Sequence, residues 1–232
     1  MRKKLGVIAA AAVLTALIVL CQAGGALLKK GLMDGEETAG KAVSADSRLV
    51  IIDPGHGGLD AGKVGVNGAE EKEINLKISL KVKELLNQED VEVVMTRSED
   101  ERLAESQVED LKKRAALMNE KKPVLAVSIH QNSYHEEGVS GAQVFYYTDS
   151  AESERAAGLI QDALKEIAPD NTKEAKANST YYILKKTEVP VVIAECGFLS
   201  NYEEAERLAD EEYQQKLAEA VTKGILQYIN GE

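Results

Sequence analysis

The chain has 232 residues, of which 44% are hydrophobic and 29% charged, as in a globular domain that buries its own core. The formal net charge is −11, and this acidity argues against a nucleic-acid partner and against anionic lipid on the folded part, since both need a basic surface. Two cysteines, Cys21 and Cys196, cannot form a disulfide framework, and we expect Cys196 to be a free, buried thiol.

The N-terminus predicts export from the cytoplasm. Basic residues at positions 2–4 precede an apolar stretch that continues to Leu28 with only two polar interruptions. Such a stretch is typical of a signal peptide, but it also has the roughly 20 residues that a bilayer span needs. A cleaved signal and a retained anchor both stay open for residues 1–28. Either one places the domain outside the cytoplasm, exported or anchored at the outer face of the membrane, with membrane contact only through this segment.

The folded domain is predicted over residues 47–232, because residues 29–46 are small and polar, as in a flexible linker. In chain order, apolar runs predict strands at 49–52, 91–96, 124–129, 142–147, 181–184 and 191–194. Stripes at helical spacing predict helices over 74–85, 108–118, 156–167 and 217–228. This alternation predicts a single α/β domain of three layers, with an open, twisted, mostly parallel sheet and helices on both faces.

Ionisable residues follow the carboxyl ends of three predicted strands. His56 comes four residues after the first strand, while His130 and Glu195 come directly after the third and the last. Ligands of open α/β sheets bind outside these strand ends, so the side chains are expected to face one crevice. Glu71, at the start of the first helix, lies at the same edge. Two imidazoles and a carboxylate are a known catalytic zinc set, with one position left for a water whose pKa falls to about 7. Glu195 is then the free carboxylate that moves the proton to the leaving amine.

The residue types alone leave other interpretations open. His56 is also consistent with an exposed loop residue, and His130 with a hydrogen-bonded core histidine. An acidic residue such as Glu71 is favoured in a first helical turn by the helix dipole in any case. Glu195 is harder to dismiss, because a carboxylate at the end of a buried strand is costly unless it is paired or used.

Two polar neighbours of these residues are candidates for support of the site. Asp53 is expected to accept a hydrogen bond from an imidazole and so to fix its tautomer. Asn132 lies two residues after His130 on an extended segment, so it is expected to share the same face and to orient substrate. Glycines at 55, 57 and 58 are expected to let the backbone bend closely around His56.

Four segments of the chain resemble the motifs of the zinc-dependent N-acetylmuramoyl-L-alanine amidases of the amidase-3 family. They are IIDPGHGG at 51–58, EKEINL at 71–76, SIHQN at 128–132 and AECGFLSN at 194–201. The resemblance covers about residues 49–229. It implies one zinc ion on His56, Glu71 and His130, with Glu195 as the acid/base. Arg114 lies in a weaker match and is a candidate to contact substrate or to support the ligands.

The resemblance also implies a substrate and a setting. The bond cut is the amide between the lactyl group of N-acetylmuramic acid and L-alanine in peptidoglycan. A short hydrophobic N-terminus followed by a single catalytic domain most resembles the sporulation-type amidase that trims spore cortex. Vegetative wall turnover, cell separation, another metal-dependent peptidoglycan peptidase and a non-enzymatic wall-binding module stay open as alternatives, and any activating protein is unidentified.

Overall fold

The computed structural model describes residues 48–231, so the predicted signal or anchor (1–28) and linker (29–46) lie outside the described residues, as does Cys21. Within 48–231 strands and helices alternate. The strands are β1 (Leu49–Pro54), β2 (Glu92–Met95), β3 (Leu125–Asn132), β4 (Gln143–Tyr147), β5 (Lys176–Asn178) and β6 (Val191–Phe198). The helices are α1 (Glu71–Gln88), α2 (Gln107–Lys121), α3 (Ala151–Ile167), α4 (Tyr182–Lys186), α5 (Tyr202–Ala209) and α6 (Glu211–Asn230).

The strands form one mixed sheet in the order β2-β1-β3-β6-β4-β5. The first four of these run parallel to one another. β4 is antiparallel to β6, and β5 is parallel to β4. The prediction of an open, mostly parallel α/β sheet is therefore confirmed. The register places His130 directly beside Glu195 on neighbouring strands, with an irregularity between His130 and Asn132.

Helices cover both faces of the sheet and bury it completely at the centre. On one face Ile52, Val127 and Ala194 pack in a cluster with apolar residues of α1, α3 and α6. On the other face Ile51 and Ile193 pack against residues of α2 and α4. Burial on both faces explains the continuous apolar runs of β1 and β3, and each large side chain buried contributes about 1.5–3 kcal/mol. No helix within residues 48–231 combines the length and the apolar character needed to cross a membrane.

The strand predicted at 181–184 is wrong, because this segment begins the short helix α4. Its adjacent apolar residues Ile183 and Leu184 are both buried against the sheet, as neighbours on one helical turn can be. In a half-buried strand, adjacent side chains would point to opposite faces, and only one of the two would be buried. A run of four apolar residues does not distinguish the two structures by itself. Val108, assigned to the buried stripe of α2, is instead 59% exposed.

Two further elements have little signal in the sequence. β5 is a three-residue edge strand of polar composition, KAN. α5 buries Ala205 and Leu208 among charged neighbours, and the Asn201 side chain accepts a hydrogen bond from the backbone N–H of Glu204 at its start. β3 and β6 also extend past their predicted ends, so His130 and Glu195 lie within strands and not after them. Strand geometry therefore fixes both side chains more firmly than a loop would.

Candidate metal centre and active site

His56, Glu71 and His130 meet at the carboxyl end of the sheet, each offering one ligand atom within 4.8 Å of the others. Nε2 of His56 lies 3.2 Å from Oε1 of Glu71, and Nδ1 of His130 lies 2.9 Å from the same oxygen. The two imidazole rings stand edge to face, with centroids 5.0 Å apart. A loop, a helix start and a strand thus bring together the three residues that the sequence predicted as ligands.

Glu71 is the first residue of α1, and both oxygens of its carboxylate accept hydrogen bonds. Its Oε1 accepts hydrogen bonds from the N–H of Gln131 at 3.1 Å and from the Asn75 amide at 3.3 Å, and its Oε2 accepts from the N–H of Lys63 at 2.8 Å. Burial favours the neutral acid, but the hydrogen bonds and charges of the two histidines outweigh it and hold the pKa of Glu71 well below its usual range. The carboxylate is therefore ionised and rigid, as a metal ligand requires.

His56 adopts a left-handed backbone conformation, with φ of 61°, which is costly for a residue with a side chain. Its Nδ1 lies 3.0 Å from Oδ2 of Asp60, which leaves Nε2 facing Glu71. Burial opposes protonation of the ring, but Glu71 and Asp60 together raise the pKa of His56 to about 9. Glu71 and Asp60 thus favour a cation at the ring nitrogens of His56, and a divalent metal ion on Nε2 would take the place of the ring proton there.

Asp53 does not take the role expected of it, because its carboxylate is bonded to groups other than the imidazoles. It accepts hydrogen bonds from Thr96 Oγ1 at 2.5 Å, Ser128 Oγ at 2.6 Å and Arg114 Nη1 at 2.7 Å. Burial would raise the pKa of Asp53, but the Arg114 guanidinium and the two hydroxyls hold it below its ordinary value. The predicted bond from Asp53 to an imidazole is wrong, and Asp60 takes that place.

Arg114 supports the loop that carries His56. Its side chain is 2% exposed and pairs with Asp53 at 2.7 Å and with Asp110 at 2.6 Å. The same guanidinium donates to the backbone carbonyls of Pro54 and His56, each at 2.7 Å. Arg114 is therefore buried below the site, where it fixes the loop backbone from beneath.

Arg97, two residues after β2, makes a second support for the His56 loop. Its Nε donates to the Pro54 carbonyl at 3.0 Å, and its Nη2 donates to the carbonyls of Gly55 at 3.0 Å and Lys72 at 2.8 Å. Burial and the nearby Arg114 charge lower the pKa of Arg97 to about 10. One side chain thereby ties the His56 loop to the start of α1, which carries Glu71.

Two glycines allow the chain to pass this close to the ligands. A Cβ on Gly55 would overlap the His130 ring. Gly62 has φ of +68°, and a Cβ there would lie 2.5 Å from Oε2 of Glu71 and 2.7 Å from Cδ2 of His56. Gly55 was among the glycines expected to let the backbone bend around His56. Gly62, like Asp60, was missed, because a polar loop gives no periodic signal by which to place it.

Glu195 lies on β6 beside His130 and is 9% exposed. Within residues 48–231 its buried Oε2 has no hydrogen-bond partner. Burial, reinforced by the charge of Glu71 and opposed by the two histidines, raises the pKa of Glu195 to about 7. A carboxyl group with a pKa near neutrality can both accept and return a proton, which is the behaviour of a general acid/base.

The site opens into a cavity of about 350 Å³. Its lining residues are His56, Asp60, Gly62, Lys63, Glu71, Gln107, His130, Gln131, Asn132, Ser133 and Glu195. Asn132 is thus on the cavity wall as expected, and its Oδ1 accepts a hydrogen bond from the next N–H, that of Ser133, at 2.8 Å. Cys196 is confirmed as a free, buried thiol, and burial raises its pKa to about 12, which makes it a poor nucleophile.

Comparison with known proteins agrees with this geometry. The family profile described as N-acetylmuramoyl-L-alanine amidase matches residues 50–227. The germination-specific N-acetylmuramoyl-L-alanine amidase of Bacillus subtilis (strain 168) is 37% identical over 190 residues, which cover 78% of this chain and 80% of that protein. The amidase LytC of the same organism is 33% identical over 181 residues, 77% of this chain and 35% of that protein.

A solved structure shares the fold at similar identity. The CwlD amidase from Clostridioides difficile, determined in complex with the GerS lipoprotein, superposes with a TM-score of 0.76 at 36% identity. The match covers 79% of this chain and 99% of that one. The family match over residues 50–227 includes β3 and β6, on which His130 and Glu195 lie.

Proposed function

The chain belongs to the amidase-3 family of N-acetylmuramoyl-L-alanine amidases, and we propose that it acts on spore-cortex peptidoglycan with one zinc ion held by His56, Glu71 and His130. Its reaction is hydrolysis of the amide between N-acetylmuramic acid and L-alanine. The observation that carries the zinc proposal is the donor set itself, two imidazoles and an ionised carboxylate, beside the unpartnered Oε2 of Glu195. Structural zinc sites have four protein ligands, whereas three with an open position are typical of catalytic ones.

The donors fit zinc by chemistry as well as by number. Nitrogen and carboxylate oxygen are both ordinary zinc ligands, and the carboxylate is held ionised by its surroundings. Asp60 orients the His56 ring through Nδ1, which is the usual support of a ligating histidine. When bound there, zinc supplies a Lewis acid and lowers the pKa of a water to about 7.

The proton transfers fall to Glu195. Its Oε2 accepts a proton as the oxygen of water forms a bond to the lactyl carbonyl carbon. The same carboxyl group then donates that proton to the L-alanine nitrogen as the C–N bond breaks, so that the products are a lactyl carboxylic acid and a peptide amine. The acid gives up the second hydrogen of the water as a proton to the amine or to solvent and becomes a carboxylate. A group that performs both steps works best with a pKa near the working pH, and burial gives Glu195 this property.

Digestion of purified peptidoglycan tests the reaction. We expect released peptides with a new L-alanine amino terminus and glycan strands of unchanged length. New amino termini only on other stem residues would instead identify a peptidase, and no release would favour a wall-binding module. Removal of metal with a chelator is expected to abolish release, and an equimolar amount of zinc to restore it. Failure of zinc to restore release would contradict the assignment of the metal.

The cortex role is supported by the 37% identity to the germination-specific amidase. Spores of a strain that lacks the gene are expected to contain little muramic lactam, because lactam formation needs muramic acid from which the peptide has been removed. Normal lactam together with unseparated vegetative cells would move the role to cell separation or wall turnover. The biochemical activity would be the same in either setting.

Two further proposals concern location and partner. Peptidoglycan lies outside the cytoplasm, so export of the domain, as predicted from residues 1–28, is consistent with this substrate. Sequencing of the amino terminus of the mature protein distinguishes a cleaved signal from a retained anchor.

The unidentified activator is proposed to be a lipoprotein, since the Clostridioides difficile relative was solved in complex with one. Purification of the chain from sporulating cells is expected to recover such a protein, and its absence would contradict the proposal.

A further inference from the structure

We propose that Lys63 binds the carboxylate on the second residue of the stem peptide and so makes the enzyme prefer stems in which that carboxylate is free over stems in which it is amidated. This inference rests on the amidase activity stated above. It concerns which peptidoglycan the site accepts, and it assigns a substrate contact to a residue that none of the four motif segments contains.

The backbone of Lys63 is fixed to the metal ligand Glu71. Its N–H donates to Oε2 of Glu71 at 2.8 Å, and its carbonyl accepts from the Glu71 N–H at 2.9 Å. The Lys63 side chain therefore starts from a defined point next to the metal centre, although it lies in a loop. It is exposed and lines the same cavity as Glu195 and Asn132.

Lys63 also differs in charge from the rest of the cavity wall. The other ionisable lining residues are the two histidines and the carboxylates Asp60, Glu71 and Glu195, so among residues 48–231 Lys63 is the one ammonium group that lines it. Within the part of the chain that the structure describes, no hydrogen bond or ion pair engages this ammonium group. Lys72, nearby on α1, is by contrast bonded to Asp100 at 2.9 Å and to the Gly58 carbonyl at 2.9 Å. The Lys63 charge remains available to a ligand.

The substrate carries an anion at a matching place. In peptidoglycan the residue after L-alanine is D-glutamate, linked through its side-chain carboxyl, and its α-carboxyl is either free or amidated. Consecutive Cα atoms lie about 3.8 Å apart, so this group is about one residue from the scissile amide. A lysine side chain with four methylenes spans that distance. The cavity wall also carries the carboxylates Asp60 and Glu195, so an ammonium group beside the entering carboxylate favours its binding.

A pair of muropeptides that differ only at the second stem residue, D-glutamate in one and D-isoglutamine in the other, tests the proposal. The wild-type enzyme is expected to cleave the free acid with a kcat/KM about 3- to 10-fold higher, as for one solvent-accessible charge-assisted contact. Lys63→Met is expected to remove this preference through a higher KM for the free acid, and Lys63→Arg to keep it. Lys77→Met makes the same change of charge on the exposed face of α1, outside the cavity, and is expected to behave as wild type.

The readout is a ratio of two substrates within one variant, so any change in folding or zinc content affects both rates equally and leaves the ratio intact. A wild-type enzyme with no preference, or a Lys63→Met enzyme that keeps the full preference, would overturn the inference while the amidase activity stands. Cleavage of neither muropeptide by the wild type, with intact peptidoglycan also resistant, would overturn the activity itself.

Discussion

Replacement of Gly62 by alanine tests how closely the loop packs on the metal ligands. The new Cβ would lie 2.5 Å from Oε2 of Glu71 and 2.7 Å from Cδ2 of His56, whereas real Cβ atoms essentially never come within 3.0 Å of another heavy atom. Either the loop or the two ligands must therefore move by roughly half an ångström or more, because protein interiors have no spare volume. Functional constellations tolerate displacements of about 0.5 Å, so the site is expected to lose affinity for zinc.

The expected magnitude has two separable parts. The left-handed φ of +68° costs an alanine about 1–2 kcal/mol of folding free energy, whatever the surroundings. Disturbance of groups that hold metal ligands typically lowers metal affinity 10- to 100-fold, or about 1.4–2.8 kcal/mol. We expect the backbone cost to lower the stability of the metal-free protein, and the displacement of the ligands to raise the zinc dissociation constant.

Gly68 supplies a matched control in the same loop. Its φ is +84°, and a Cβ there would meet nothing within 4 Å, so Gly68→Ala carries the backbone cost without the contact. Thermal unfolding of the two metal-free variants is expected to show similar losses. Competition with a zinc chelator is expected to show a 10- to 100-fold loss for Gly62→Ala and no loss for Gly68→Ala. Equal zinc affinities in the two variants would refute the packing argument.

Two other carboxylates give separate predictions. The pKa of Asp53 is lower in the fold than its ordinary value of 3.8, so its ionised form stabilises the protein above about pH 4, and this stabilisation is lost as the pH falls through the folded-state pKa. At pH 7 the Asp53→Asn variant is expected to be about 3–5 kcal/mol less stable than wild type. Measured by urea unfolding from pH 7 to 3, the free energy of unfolding is expected to fall more steeply for wild type than for the variant. Parallel pH dependences of the two proteins would contradict the assignment. Asp60→Ala removes the partner of His56 Nδ1 and is expected to weaken zinc binding 10- to 100-fold in chelator competition, with unchanged affinity counting against that role.

The sequence predicted the layered sheet well because its central strands are buried on both faces. Such strands leave unbroken apolar runs, and the helices between them leave stripes at helical spacing. These sequence patterns are absent where an element is only partly buried or too short to show a period. α4 has too few residues to show a period, and β5 lies at the edge of the sheet with polar residues.

The site was predicted in its principal residues but not in their support. Strand ends identified His130 and Glu195 as facing the crevice, and the resemblance to known amidases identified Glu71 as a ligand. The error at Asp53 concerns its partners. Its register neighbour on β3 is Ser128, two residues before His130, and the Ser128 hydroxyl and the Arg114 guanidinium bind its carboxylate. Contacts made by Asp60, Arg97 and Gly62 depend on the path of loops, which no periodic pattern records.

The central claim is that His56, Glu71 and His130 hold zinc while Glu195 moves the proton. Zinc content and muropeptide hydrolysis, measured together on Glu195→Gln, test it most directly. The substitution keeps the size of the side chain and removes its ability to exchange a proton at Oε2. We predict one zinc ion per chain, as in wild type, with hydrolysis reduced at least about 100-fold. Turnover near the wild-type rate in a zinc-loaded Glu195→Gln enzyme would contradict the account.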